Sequence, residues 1–329
     1  MTEPSDPSLF AFGSRVILKH LNGMLAEVEG VRLNQDIECV HRMRVASRRL
    51  REALDVFGPY CPQRKIVRWK KTVQKVTRSL GAARDTDVQI IVLAEALAAA
   101  QTNNVRPGLN RLLVRTRQQR SKQQHAVLIA LAELTASGIP ADMQAVLMQT
   151  VDHELPPSSE LYHAAEIAVR QKMREFLAYE VYIPHPEAAA ELHAMRIAAK
   201  HFRYTMEIFS PLYRNELKPA LGALKQAQEL LGGLHDCDVW GEQLPIFCEK
   251  EQKRVLEFYG KPGPFNFLKP GLEYFRLNRL EERNQNYNRF TEKWAEWKAA
   301  ALWQQIIDWV SAPLLDLDAV YPPPAKNPE

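Results

Sequence analysis

The sequence has little cysteine, little glycine and no long apolar run. Its 329 residues include four cysteines, Cys39, Cys61, Cys237 and Cys248. None forms a C-x-x-C pair, which leaves no disulfide framework or cysteine zinc site and suits reduced thiols. Glycine numbers only 14, and alternating Val/Ile/Thr segments are almost absent, so strands and hairpins have little support. Neither G-x-x-x-x-G-K-[ST] nor G-x-G-x-x-G occurs, which removes the glycine-loop cradles for nucleotide phosphates. The most apolar stretch, IIVLAEALAAA, is interrupted by Glu95 and falls well short of the ~20 residues that span a bilayer. The opening MTEPSDPSLFAFGSRV lacks the basic start and apolar run of a secretory signal. A cytoplasmic protein without a membrane segment is expected. Net charge is only +4, so any electrostatic function must come from local arrangement.

An apolar fraction of 46% with 25% charged residues is that of a folded globular chain. Apolar residues recur at intervals of three and four, which predicts an all-α protein of about ten helices. Breaks are expected at Gly58–Pro59, Gly81, Pro107–Gly108, Gly138–Pro140, Pro156–Pro157, Pro184–Pro186, Pro211, Gly232–Gly233 and Gly260–Pro264, where helix-stopping residues cluster.

The chain also repeats itself. VHRMRVASRRLREALDVF returns 152 positions later as LHAMRIAAKHFRYTMEIF. Met43 answers to Met195, Arg44 to Arg196, Arg48 to Lys200, Arg51 to Arg203, Phe57 to Phe209 and Pro59 to Pro211. A second block, SLGAARDTDV, returns as LLGGLHDCDV one residue out of step, so Gly81, Asp85 and Asp87 answer to Gly232, Asp236 and Asp238. Self-similarity over such a span marks a duplicated structural module. The expected halves are residues 8–150 and 159–312, joined through Pro140–Ser159, with a flexible tail over 313–329 that ends in YPPPAKNPE.

On the first repeated helix His41, Arg44, Arg48, Arg51 and Asp55 share one face, a stripe of about 21 Å. The second copy carries His193, Arg196, Lys200, Arg203 and Glu207 at the same spacing. A lone basic helix is most simply a solvated face paired with acids such as Glu52 or Glu191; recurrence of the same His-x-x-Arg spacing favours a function. The following helix adds Arg64, Arg68, Lys71, Lys75 and Arg78 on one face, while its counterpart keeps only Lys218 and Lys225. An uneven groove, with more charge in the first half, follows. A third basic stretch, RPGLNRLLVRTRQQRSK, either extends the patch or is a solvated face.

Arginine offers a planar fork of donors to phosphate oxygens and lysine adds point charge, so such stripes suit a polyphosphorylated ligand. A histidine at the head of each stripe makes binding proton-linked. Asp85/Asp87 and Asp236/Asp238 are readable as metal ligands or acid/base groups, but each pair follows a glycine expected to break a helix, where aspartate caps free N–H groups. The histidines sit among arginines that repel cations, which argues against a metal role.

These residues resemble the CHAD domain family. The likeness rests on HRMRVASRRLREALDVF, HAMRIAAKHFRYTMEIF, LGAARDTDV and LLGGLHDCDV, and spans about Ser8 to Ser311. It implies one CHAD unit: two tandem pseudo-symmetric bundles of four-helix type around a basic central groove that binds inorganic polyphosphate. Contacts implied are His41, Arg44, Arg48, Arg51, His193, Arg196, Lys200 and Arg203, then Lys225, with Lys71, Lys75 and Arg78 as second-tier candidates. Two departures stand out: Gln74 where the second copy has Lys225, and His201 opposite Arg49. The E-x-E-x-K start of a fused triphosphatase domain is absent, so the stand-alone form is expected. The resulting expectation is a non-enzymatic polyphosphate binder without catalytic residue, cofactor or metal, in the cytoplasm and at polyphosphate granules. The alternatives are a metal-dependent phosphohydrolase using the aspartate pairs, or a nucleic-acid binder. The latter is disfavoured because no aromatic residue is interleaved with the stripes. Oligomeric state stays open.

Overall fold

The computed structural model describes residues 6–34, 36–151, 155–214 and 216–320, with side chains omitted at 150 and 315–320. Every regular element among them is helical. The first half holds α1 (Pro7–Leu25), α2 (Val28–Leu33), α3 (Ile37–Phe57), α4 (Gln63–Ala99), α5 (Arg106–Ala136) and α6 (Ile139–Leu147). The second holds α7 (Ser159–Leu177), α8 (Ala189–Phe209), α9 (Lys218–Tyr259), α10 (Lys269–Ala299) and α11 (Leu302–Val320).

Local chemistry explains most boundaries. Asp6 caps α1 by accepting from the Ser8 and Leu9 amides, Asp36 caps α3 through Glu38, and Ser158 caps α7 through Leu161. Proline stands in the first turn of α5, α6, α9 and α10, where its missing N–H costs nothing. The α3 and α8 helices both stop at the Phe-x-Pro step, in short 3-10 turns beginning at Gly58 and Ser210.

Two of the expected breaks do not occur. Helix α4 runs through Gly81, and α9 runs through Gly232 and Gly233. A mid-helix glycine costs only about 1 kcal/mol, which the packing of helices this long absorbs. Gly233 is a site of close approach: a Cβ on it would lie 2.5 Å from the Asn286 amide of α10. Pro313 lies within α11, which continues to Val320 and buries Leu314; of the tail expected over 313–329, residues 321–329 lie outside the described residues. Within the join at Pro140–Ser159, α6 sends Asp142 to Lys65 at 2.5 Å and Trp69 at 2.8 Å.

The same pairings recur in order: α1 on α3, α3 on α4, α4 on α5 and α1 on α6, then α7 on α8, α8 on α9, α9 on α10 and α7 on α11. The main hydrophobic core is nevertheless continuous, from Leu9 in α1 to Val310 in α11. At its centre Phe57 and Phe209, equivalent in the repeat, meet edge to face at 5.8 Å, and Phe12 stacks on Phe209 at 6.1 Å. Each fully buried ring of this kind contributes roughly 1.5–3 kcal/mol.

A second core lies where the long hairpins α4–α5 and α9–α10 meet, around Leu93, Leu109, Leu112, Trp240, Leu272 and Phe275. Here α5 crosses α10 backbone to backbone. A Cβ on Gly108 would fall 2.2 Å from the Leu268 carbonyl oxygen, and one on Gly271 would fall 2.0 Å from that of Val105. Both obstacles are backbone atoms, so no rotamer change relieves them. Gly271→Ala is therefore expected to lower stability by about 2–3 kcal/mol, within the range for overpacking, read as a shifted urea midpoint; an unchanged midpoint contradicts this crossing.

Candidate functional site

The repeated helices α3 and α8 pack against each other. Glu52, only 2% exposed, accepts from the Thr205 hydroxyl at 3.0 Å and lies 2.5 Å from His201 Nδ1. Arg49 donates to Glu207 at 2.8 Å and stands 5.8 Å over the Tyr204 ring. In the 152-residue register, Glu52 answers to Tyr204 and Arg49 to His201. Arg49–Tyr204 and His201–Glu52 are thus the same contact made in both directions. The departure of His201 from arginine gains a reason: it seats against the buried carboxylate of Glu52.

Beside this junction lies a cleft of about 430 Å³. Its lining includes Arg44, Arg48 and Arg51 from α3, Arg78 from α4, Lys200 from α8, and Thr77, Asp85 and Tyr204. Arg196 adds its charge to those of Arg44, Arg48 and Lys200. Among the described residues, Arg44 has an ion pair, to Asp85 at 3.0 Å, while Arg48, Arg51, Arg196 and Lys200 have no carboxylate within 4 Å. Burial lowers the Arg48 guanidinium, and the neighbouring Tyr204 and Asp85 offset part of that.

Burial and mutual repulsion strain these cations. Burial first, then Arg48, pushes the Arg44 guanidinium down to about 10. Burial, followed by Arg48, Arg196, Arg44 and Arg51, pushes the Lys200 ammonium down to about 7. The glycines read as helix breaks have their use here. Arg44 Nε would lie 3.7 Å from a Cβ on Gly81, and Arg196 Nε 3.6 Å from one on Gly232. Each arginine thus lies flat against a bare stretch of the next helix, and Arg44 Nε is buried with no hydrogen-bond partner.

The aspartates are not helix caps, because α4 and α9 do not end before them. Asp85 faces the cleft, and the raised carboxyl of Asp236, displaced chiefly by burial, feels Arg196, Asp85 and Arg44. Asp87 instead is buried against Arg120 of α5 at 2.7 Å, and Asp238 holds Arg283 of α10 at 2.5 Å. One aspartate of each pair faces the cationic cluster, and the other pins the returning helix of its hairpin. Among the described residues no three His, Cys, Asp or Glu side chains gather into a metal-binding cluster.

The remaining candidates are scattered. His41 lines a separate cavity of about 1240 Å³ between α1, α3 and α8; burial, then Arg84, lowers its imidazole. His193 stacks on His235 at 3.8 Å, with its Nδ1 buried and unpartnered. Burial, then His193, pushes His235 down to about 4. Arg203 lies 3.3 Å from Glu207 and 5.5 Å over Tyr204, both within α8. Lys225 is exposed, 3.8 Å from Glu229. Lys75 pairs with Glu133, Lys71 is exposed, and Arg78 alone of that stripe lines the cleft. The third basic stretch is largely tied up: Arg111 and Arg115 reach Glu251, and Arg120 reaches Asp87. Tyr204, an aromatic on the cationic face, escaped the sequence reading. Arg49 and Arg203 lie over its ring, so it offers no open stacking surface.

The family model described as CHAD domain matches residues 15–245. The chain belongs to the CHAD domain family. A crystal structure of the CHAD domain from the plant Ricinus communis is similar, with a TM-score of 0.65 at 24% identity, covering 89% of this chain and 93% of that one. PptA from Streptomyces chartreusis is also similar, with a TM-score of 0.54 at 14% identity, covering 88% of this chain and 100% of that one. At such identities these likenesses speak for the fold. No curated protein matches this chain. The matched span of this CHAD domain takes in both cationic stripes and both aspartate pairs, and no single described helix is long and apolar enough to cross a membrane.

The two aspartates of a pair should separate on mutation. Asp87→Ala strands a buried guanidinium and is expected to cost about 3–5 kcal/mol. Asp85→Asn, at a side chain 68% exposed, is expected to stay within about 1 kcal/mol of wild type. Equal losses in thermal unfolding contradict the assignment.

Proposed function

We propose that this CHAD domain binds inorganic polyphosphate in the cleft between α3, α4 and α8, without catalysing a reaction on it. The observation that carries the reading is the crowding of Arg44, Arg48, Arg51, Arg196 and Lys200; burial, with this crowding added to it, brings the Lys200 ammonium down to about 7. Repulsion of this kind is stored in the empty cleft and relieved when anionic oxygens enter. Arginine forks and a lysine point charge suit successive phosphates of a linear chain. Neighbouring stripe positions stand about 5–6 Å apart along a helix, so several phosphates are engaged together. Family membership supports the same reading. Arg78 joins the inner set, while Arg203, Lys225, Lys71 and Lys75 act at longer range. Asp85 and Asp236 keep the empty cluster tolerable, and His193 stands behind Arg196. A place on cytoplasmic polyphosphate granules follows from this reading.

Affinity should fall steeply with salt, on the order of a hundredfold for about five phosphate contacts between 50 and 200 mM salt. Arg44→Glu with Arg196→Glu should abolish binding in a titration with long-chain polyphosphate. Salt-independent binding, or retention by the double variant, refutes the site.

Lys200 adds a proton linkage. Its ammonium ionises near pH 7 in the free protein, and bound phosphate raises that value. Binding therefore takes up a proton above pH 7. Affinity is full below about pH 7 and declines as pH rises through it. Lys200→Arg, charged throughout, should flatten that decline; an unchanged profile in calorimetry removes Lys200 from the contact.

A further inference from the structure

Helix α9 ends in Phe258 and Tyr259, 81% and 53% exposed. They lie 26 residues beyond Gly232, about 39 Å along the helix axis from the seat of Arg196. Their rings meet edge to face at 4.8 Å. Two turns back, Glu251 is fully buried and holds Arg111 at 2.8 Å, Arg115 at 3.0 Å and Arg254 at 3.1 Å. Burial alone would raise the Glu251 carboxyl, but hydrogen bonds from Arg115 and Arg254 and the charge of Arg111 hold it below the usual range. One negative charge thus orders three positive ones. The guanidiniums are held in place with N–H groups to spare.

The three arginines, the two rings, Glu251 and Glu257 line one hollow of about 520 Å³, in which the cations outnumber the acids three to two. A second hollow of about 520 Å³ shares Arg115 and Arg254 and continues with Lys122, Lys250 and several glutamines. We infer that this distal groove binds single-stranded nucleic acid, with bases on Phe258 and Tyr259 and the phosphodiester chain on Arg111, Arg115 and Arg254. Cations tracking a backbone beside accessible aromatic faces are what sequence-tolerant recognition of single strands requires. The objection raised against nucleic acid on the central stripes, the lack of interleaved aromatics, does not reach this groove. Burying the rings against a second copy of the chain would bring two arginine clusters of like charge together, which disfavours self-association. A bare polyphosphate chain has no use for the rings.

The test uses the full chain and a short labelled single-stranded RNA at low salt. Phe258→Ala with Tyr259→Ala, both exposed, should weaken RNA binding by about tenfold or more and leave polyphosphate affinity unchanged. Arg254→Gln, which leaves two arginines on Glu251, should weaken RNA binding too. The Arg44→Glu, Arg196→Glu variant should still bind RNA, so the distal groove and the central cleft succeed or fail separately. Three results overturn the inference. They are RNA affinity indifferent to loss of both rings, an abasic strand that binds as tightly as RNA, and a wild-type dimer in light scattering that the ring variant splits.

Discussion

Glu52 is the carboxylate on which the arrangement of the two repeats turns. It sits on α3, buried, and both of its partners, His201 and Thr205, come from α8. A buried charge left without partners is costly, by about 3–5 kcal/mol when one side of a pair is removed. Sliding α8 along α3 by a turn would strand it. The junction therefore has one register, and that register brings Arg196 and Lys200 into the company of Arg44, Arg48 and Arg51. Arg49 and Glu207 secure the other side of the crossing with a second ion pair. Phe57 and Phe209 close the base of the junction with apolar contact. Each repeat alone would present half of a weak cationic face; locked together they make a cleft with more positive charge than its acids neutralise.

Such crowding is tolerable only because the surrounding frame is stiff. The cationic side chains lie over long continuous helices, and each of those helices is held by a return partner. Asp87 with Arg120 ties α4 to α5, and Asp238 with Arg283 ties α9 to α10. The glycine crossing of α5 and α10 then joins the two hairpins at their far ends. The cleft is thereby clamped at the α3–α8 junction on one side and at the hairpin tips on the other. Repulsion among the cations has no cheap structural escape, and it adds to burial in lowering the Lys200 ammonium.

Much of this was legible in the sequence, and for physical reasons. Helical period and the 152-residue repeat concern spacing, which survives without any knowledge of contacts. They gave the helical class, the equivalent stripes and the basic cluster at Arg44, Arg48, Arg51, Arg196 and Lys200. What was misread concerns residues whose meaning depends on a neighbour distant in the chain. Gly81 and Gly232 looked like stops, yet each is the bare patch under an arginine thirty-six or thirty-seven positions earlier. Because the glycines looked like stops, the aspartates after them looked like caps. The available signal was that glycine and aspartates recur together with the arginine stripe, as parts of one surface would. Tyr204 was passed over because its counterpart is Glu52; only the reciprocal contact across α3 and α8 shows that these unlike residues occupy equivalent places.

The two cationic regions of the molecule differ in how their arginines are held, and the difference bears on what each can recognise. In the central cleft the cations outnumber their carboxylates and are positioned by helix register, so attraction for an anion would come from the positive charge in excess of Asp85 and Asp236. Recognition of that kind is strong, responsive to salt and protons, and indifferent to anything but phosphate spacing. At the distal groove one buried carboxylate orders three arginines first. Much of their attraction is spent within the protein, which leaves geometry as the main contribution. A site with ordered but partly neutralised arginines needs a further source of binding, and the exposed rings of Phe258 and Tyr259 are the one such source beside it. On the readings proposed above, charge alone serves the centre; at the tip, charge sets the position of a strand whose affinity depends on its bases.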